Sequence, residues 1–138
     1  MKKVQVEVTN ATGQGAPLKF SESVLREVIQ EIEDKKIVDL PDKIVVSIAF
    51  VDKDKIKQFN EKYRKKDETT DVLSFCYEKK HDTIVGEMLL CESVINENAK
   101  MDEVAGDMEL RKNIIHGFLH ILGFEHGKKM FSIQNALI

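Results

Sequence analysis

Three of the four histidines fall within 11 residues, in the segment HGFLHILGFEH that runs from His116 to His126. His116 and His120 stand at i and i+4. A helix through them puts both imidazoles on one face, one turn apart, where both can point at one ion. Gly123 follows, and glycine lets a chain reverse at positive φ. His126 then comes back from the turn as a third ligand. Three neutral imidazoles with one open position form the donor set of a catalytic zinc, not of a closed structural one. Ni, Co and Cu suit the same three donors. Metal affinity is expected to fall below the imidazole pKa of about 6.5, because protons compete for the ligands. Cys76 and Cys91 lie far upstream on expected strands, and His81 in the polar stretch EKKHD reads as a surface residue.

The spacing His-x3-His-x2-Gly-x2-His is that of the metzincin peptidases, whose motif is HExxHxxGxxH. Their general-base glutamate follows the first histidine, and here that position is Gly117. Peptide hydrolysis would lose the group that takes a proton from zinc-bound water. Glu125, beside His126, can in principle substitute for that base, but orienting a ligand or facing solvent is its expected role. A second group of residues points to anions. Lys53, Lys55, Lys57, Lys62, Arg64, Lys65 and Lys66 fall within 14 residues, a pattern that also suits a solvated helix face and loop. Over the whole chain 21 Lys and Arg face 24 Asp and Glu, a net charge of −3. That balance argues against a protein held on nucleic acid by bulk charge, but not against a local basic site.

Two further blocks accompany the histidines: NEKYRKKDETTDVLSF over Asn60–Phe75, and Gly86-Glu87-Met88. With them, over about residues 44–126, the sequence resembles the YbeY family of bacterial endoribonucleases of ribosomal RNA maturation. The resemblance implies a small α+β fold and a metal, usually zinc, on His116, His120 and His126. It also implies an essential arginine, which is Arg64 here. The residue chemistry agrees, since an always-charged, bidentate guanidinium suits the oxygens of a phosphodiester as charge grows on them. Arg64, His116 and His120 are therefore the expected catalytic residues. Ribosomal RNA and the small ribosomal subunit are the implied partners, and neither DNA nor a membrane is expected. Either a water or the RNA's own 2′-hydroxyl attacks the phosphate. Thr70, Asp71 and Ser74 suit cleft lining as well as turn and capping roles, and Tyr63 and Phe124 suit base stacking as well as the core. Cys76 and Thr69 stand where the family commonly has proline. Gly127, Lys128 and Lys129 replace the acidic segment that usually follows the third histidine, so the last helix is expected to begin early. The main rival is a non-enzymatic ribosome-assembly factor with a structural metal. The second is a metzincin-like hydrolase of another substrate.

Positioning these residues requires a self-sufficient core. The chain has 138 residues, 42% of them apolar, enough for one domain over residues 1–138. No apolar run reaches the roughly 20 residues of a membrane span, and MKKVQVEVTN alternates like a strand instead of reading as a secretion signal. Two cysteines are too few for a disulfide framework, which fits a cytoplasmic chain. Val4, Val6 and Val8 alternate as in a half-buried strand. Ser21 is expected to cap a helix bearing Val24, Leu25, Val28, Ile29 and Ile32, broken at Pro41 and Asp42. Ile44–Val51 reads as a central strand. Asp54 is expected to open a short helix with Ile56, Phe59 and Tyr63 inward. Val72–Tyr77 and Thr83–Cys91 read as a hairpin. Three helices follow: one through Val94–Ala99, a longer one from Val104 to Leu122 capped by Gly123, and a short last one with Ile133 and Leu137. The order β-α-β-α-β-β-α-α-α predicts an α+β domain, a mixed sheet of about four strands with helices packed on it.

Overall fold

The computed structural model describes residues 2–138. Its elements follow the expected order: β1 (Lys3–Asn10), α1 (Leu18–Asp34), β2 (Lys43–Phe50), α2 (Lys53–Arg64), β3 (Val72–Lys79), β4 (Thr83–Leu90), α3 (Glu92–Met101), α4 (Gly106–Ile121) and α5 (Lys128–Leu137). The strands form one sheet in the order β1-β2-β4-β3. β1 and β4 both run parallel to β2, while β3 pairs antiparallel with β4, so the sheet is mixed. β2, between two parallel neighbours, carries the nearly continuous apolar run that a central strand requires.

One face of the sheet bears the main core. Ile44, Val46, Ile48 and Phe50 of β2 and Ile84, Met88 and Leu90 of β4 meet Leu25, Val28 and Ile32 of α1 and Ile114, Phe118 and Ile121 of α4. Met130 and Leu137 of α5 close the same core. The other face carries a smaller cluster, in which Ile56 of α2 packs on Leu73, Leu89 and Cys91, with Phe59 and Phe75 at its edge.

Several boundaries differ from the sequence reading for physical reasons. Ser21 does not cap α1. The helix starts at Leu18, after Pro17, where a proline with no N–H to satisfy is tolerated. Ser21 is fully buried in the first turn, and its hydroxyl donates to the Pro17 carbonyl at 2.7 Å. α1 also ends before Pro41. Lys36 turns left-handed at φ 51°, and the Lys36 and Ile37 N–H groups return to the Glu33 and Ile32 carbonyls in a Schellman stop. α2 is capped by Asp52 instead of Asp54, with the Asp52 carboxylate accepting from the Lys55 N–H. Tyr63 does not point inward: it is 53% exposed. Val104 is exposed as well, because it precedes α4, which does not begin until Gly106, and Met108 lies on the exposed side of the first turn of that helix. β3 runs on to Lys79 through a bulge between Cys76 and Glu78, as the lack of a proline at position 76 permits.

Two glycines let α4 lie close to the sheet. A Cβ on Gly86 of β4 would come 2.6 Å from a methyl of Ile121 and 3.0 Å from the Phe75 backbone carbonyl. A Cβ on Gly117 of α4 would come 3.1 Å from the Ser74 hydroxyl and from the Met88 sulfur. Because one obstacle at Gly86 is backbone, Gly86→Ala is expected to destabilise the fold by about 1–3 kcal/mol, an overpacking effect. Urea unfolding followed by circular dichroism should show a lower midpoint at an unchanged slope.

Candidate metal centre

α4 ends in a Schellman turn that the sequence specifies through one residue. Gly123 takes φ 103°, while its N–H and that of Phe124 return to the carbonyls of His120 and Leu119. The turn reverses the chain and brings His126 back over the last turn of the helix. The Nε2 atoms of the three rings then converge, His116 to His120 at 3.1 Å, His120 to His126 at 3.3 Å and His126 to His116 at 3.1 Å. Donors about 2.0–2.1 Å from a tetrahedral ion lie about 3.3 Å from one another, so this triangle is the size that a zinc-like cation takes.

The far sides of the rings fix their tautomers. His120 Nδ1 donates to the Phe124 carbonyl at 2.9 Å. A carbonyl can only accept, so the proton sits on Nδ1 and the Nε2 lone pair is bare. His116 Nδ1 donates in the same way to Gln134 Oε1 at 2.8 Å. Partners of this kind orient a metal-binding imidazole and raise its basicity as a ligand. Burial lowers the pKa of both rings, opposed at His116 by the Gln134 bond and reinforced at His120 by the charge on His116. Both are thus held in the neutral form that binds metal. His126 is exposed and lies against the Phe131 ring, with centroids 6.0 Å apart. The three histidines can hold one metal ion.

The centre opens into a cleft of about 190 Å³ lined by the three histidines, Arg64, Lys66, Asn60, Glu68 and residues 70–74. Arg64 is the last residue of α2, where Lys65 turns left-handed at φ 58° and stops the helix. The buried Asn60 amide donates to the Glu68 carbonyl at 3.0 Å and ties the loop after α2 to the helix. Arg64 is exposed and forms no salt bridge among the described residues, so its guanidinium is free to meet a ligand. Thr70, Asp71 and Ser74 do line the cleft, and they also serve the local structure. The Asp71 carboxylate accepts from the Val72 N–H at 2.9 Å, and the Ser74 hydroxyl donates to the Gly117 carbonyl at 3.0 Å. Gly117 faces the sheet, not the cleft, so a metzincin glutamate has no room at this position.

The structure divides the basic run. Arg64 and Lys66 reach the cleft, whereas Lys53 pairs with Glu97 and Lys57 with Asp67, 3.7 Å away. Lys55 and Lys62 lie over the Phe59 and Tyr63 rings. Glu125 and His81 are exposed, and Phe124 is half-buried against the core.

A model of the family described as Endoribonuclease YbeY matches residues 7–137. The chain belongs to the YbeY family. It is 34% identical to Endoribonuclease YbeY of Lactobacillus helveticus over 123 residues, covering 75% of this chain and 71% of that one. It is 30% identical to that of Bdellovibrio bacteriovorus over 140 residues, covering 96% and 92%. A solution structure of a Thermotoga maritima protein superposes with a TM-score of 0.60 at 30% identity, covering 96% of this chain and 86% of that one. Family membership extends well beyond residues 44–126 and reaches into both terminal elements.

Sequence reasoning missed Gln134. A signal was present: Met130, Gln134 and Leu137 share the buried stripe of α5, and an amide on such a stripe needs a partner. α5 does begin early, directly after Gly127, and its second turn brings Gln134 beneath His116. Gln134→Leu keeps the volume but removes the acceptor that fixes the His116 tautomer. Zinc affinity, read by competition with a chromogenic chelator, should fall about 10–100-fold while the circular dichroism spectrum stays the same. An affinity equal to that of the parent chain would show that the bond does not tune the ligand.

Proposed function

We propose that residues 1–138 form a single metal-dependent endoribonuclease domain that cuts single-stranded ribosomal RNA during maturation of the small ribosomal subunit, in the cytoplasm. His116, His120 and His126 are the metal ligands and zinc is the ion, one per chain. The observation that carries the reading is the free Arg64 guanidinium, which opens on the same cleft as three convergent Nε2 atoms. Relatives of this chain carry the name endoribonuclease, which fits that pairing.

A divalent ion held there supplies Lewis-acid character toward a phosphoryl oxygen and lowers the pKa of a bound water. The remaining work falls to the chain itself. Arg64 presents a planar fork of N–H donors that matches two phosphoryl oxygens and stabilises the charge that develops on them. Lys66 adds a second positive group at the rim of the cleft. Gln134 and the Phe124 carbonyl hold the His116 and His120 rings still while the substrate binds. No carboxylate follows the first histidine, so the chain has no counterpart of the metzincin proton acceptor.

The test is cleavage of a short unstructured RNA by the zinc-loaded protein. Arg64→Ala should lower kcat by about 10²–10³-fold, the usual loss when one charge-stabilising group is removed. Arg64→Lys should recover only part of it, because an ammonium lacks the bidentate fork. Folding should be little affected, since the side chain is exposed and bears no salt bridge. Stripping the metal with a chelator should abolish cleavage, and adding zinc should restore it. Full cleavage by metal-free protein, or an Arg64→Ala rate equal to the parent's, would overturn the proposal and favour a structural metal.

A further inference from the structure

A second concavity adjoins the metal cleft. It is shallow and open, with a volume of about 710 Å³, and is lined by Tyr63, Arg64, Lys66, Phe75, Tyr77 and their neighbours on β3. It shares Arg64, Lys66 and Ser74 with the histidine cleft, so the two are continuous. Its walls are aromatic and its rim is basic.

The aromatic residues are fixed yet exposed. Tyr63 stacks on Phe59 at 5.8 Å with an interplanar angle of 11°, and meets the edge of Phe75 at 5.3 Å. Even so it remains 53% exposed. Tyr77 is 64% exposed and stands at the bulge of β3, an edge strand. Its hydroxyl donates to Glu87 Oε1 at 2.6 Å, and this bond pushes the phenol pKa up to about 12. The phenol therefore stays protonated and donates, which fixes the ring, while Arg64 and Lys66 are the charged side chains that line the concavity. Contiguous exposed apolar surface rimmed by polar side chains marks an interaction site.

We propose that this concavity is a base-stacking subsite. It takes one or two unpaired nucleotides of single-stranded RNA, flanking the phosphate held at the histidine cleft, with Tyr77 as the principal platform and Tyr63 as the second. The proposal rests on the RNA-cleaving reading above. Its own support is the pairing of fixed, exposed rings with a basic rim, the combination that binds single strands with little regard to sequence. It also gives a physical cause for single-strand specificity, because a base inside a duplex cannot offer its face to a side chain.

The test measures fluorescence anisotropy of a labelled 2′-O-methyl oligonucleotide, confirmed intact by gel after each titration, on the zinc-loaded protein. Tyr77→Ala and Tyr77→Leu should each weaken binding by about five- to a hundredfold, the range for loss of one base stack. Tyr77→Leu keeps a bulky side chain in the strand, so a common effect isolates the lost ring face. Tyr77→Phe, which retains the ring, should stay within about threefold of the parent protein. The salt dependence of binding should be unchanged in the Tyr77 variants and shallower in Arg64→Ala, because only the latter loses a phosphate contact. In cleavage, the Tyr77 variants should raise KM and leave kcat within about threefold. Parental binding by Tyr77→Ala and Tyr77→Leu would overturn the subsite and leave the endoribonuclease reading intact. Failure of the parent protein itself to bind or cut RNA would overturn both.

Discussion

The centre depends on two hydrogen bonds made on the side of the rings away from the ligand position. Without an acceptor at Nδ1, a neutral imidazole carries its proton on either nitrogen, and each ring turns about its own bonds. The Phe124 carbonyl and Gln134 Oε1 remove that freedom at His120 and His116. One acceptor belongs to the turn that Gly123 makes, and the other to a separate helix. The first bond is therefore local and the second tertiary, and α5 helps to order the site although none of the three histidines belongs to it. Burial acts in the same direction by opposing the charged form of both rings.

The sheet sets where these bonds can form. α4 must lie close against β3 and β4 for its histidines to face the loop after α2, and Gly86 and Gly117 provide that approach by omitting a side chain. Lys79, near the end of the extended β3, donates to the Leu122 carbonyl at 2.8 Å and fastens the end of α4 to the sheet. The Ser74 hydroxyl fastens it one turn earlier, through the Gly117 carbonyl. The same glycine that leaves out a peptidase base is thus a packing residue, and the two facts share a cause: the space at that position is taken by Ser74 and Met88.

What was legible in the sequence followed local rules. The order of elements came from periodicity, and the histidine cluster from a helical repeat ended by a glycine. These features depend on neighbours a few residues apart. The signals misread were those in which a tertiary contact outweighed a local preference. Ser21 has the chemistry of a cap, but the core needed a small side chain in the first turn, and its hydroxyl was satisfied by the Pro17 carbonyl. Tyr63 has the spacing of a core residue, yet it lies in the last turn of α2, where that helix reaches the open concavity beside the cleft. Gln134 and Asn60 are polar residues on apolar stripes, and each proves to hold a second segment in place. A polar residue on a buried stripe is the sequence signature of such a tie, although the stripe cannot say which segment is held.

Charge gives the cleft its last constraint. Arg64 already works against protonation of His120 in this structure, in the same direction as burial. A divalent cation on the three imidazoles would put two fixed positive groups in one cleft of about 190 Å³, with Lys66 at the rim as a third. Such an arrangement repels itself, and the repulsion is strongest where water is excluded. The carboxylates of Glu68 and Asp71, which also line the cleft, offset part of that charge. The group that relieves all three charges at once is an anion with several oxygens set between them. A phosphodiester fits that description, and its transition state fits better, because its oxygens carry more charge. An excess of positive charge in the cleft thus favours an anionic ligand of the kind that the proposed function requires.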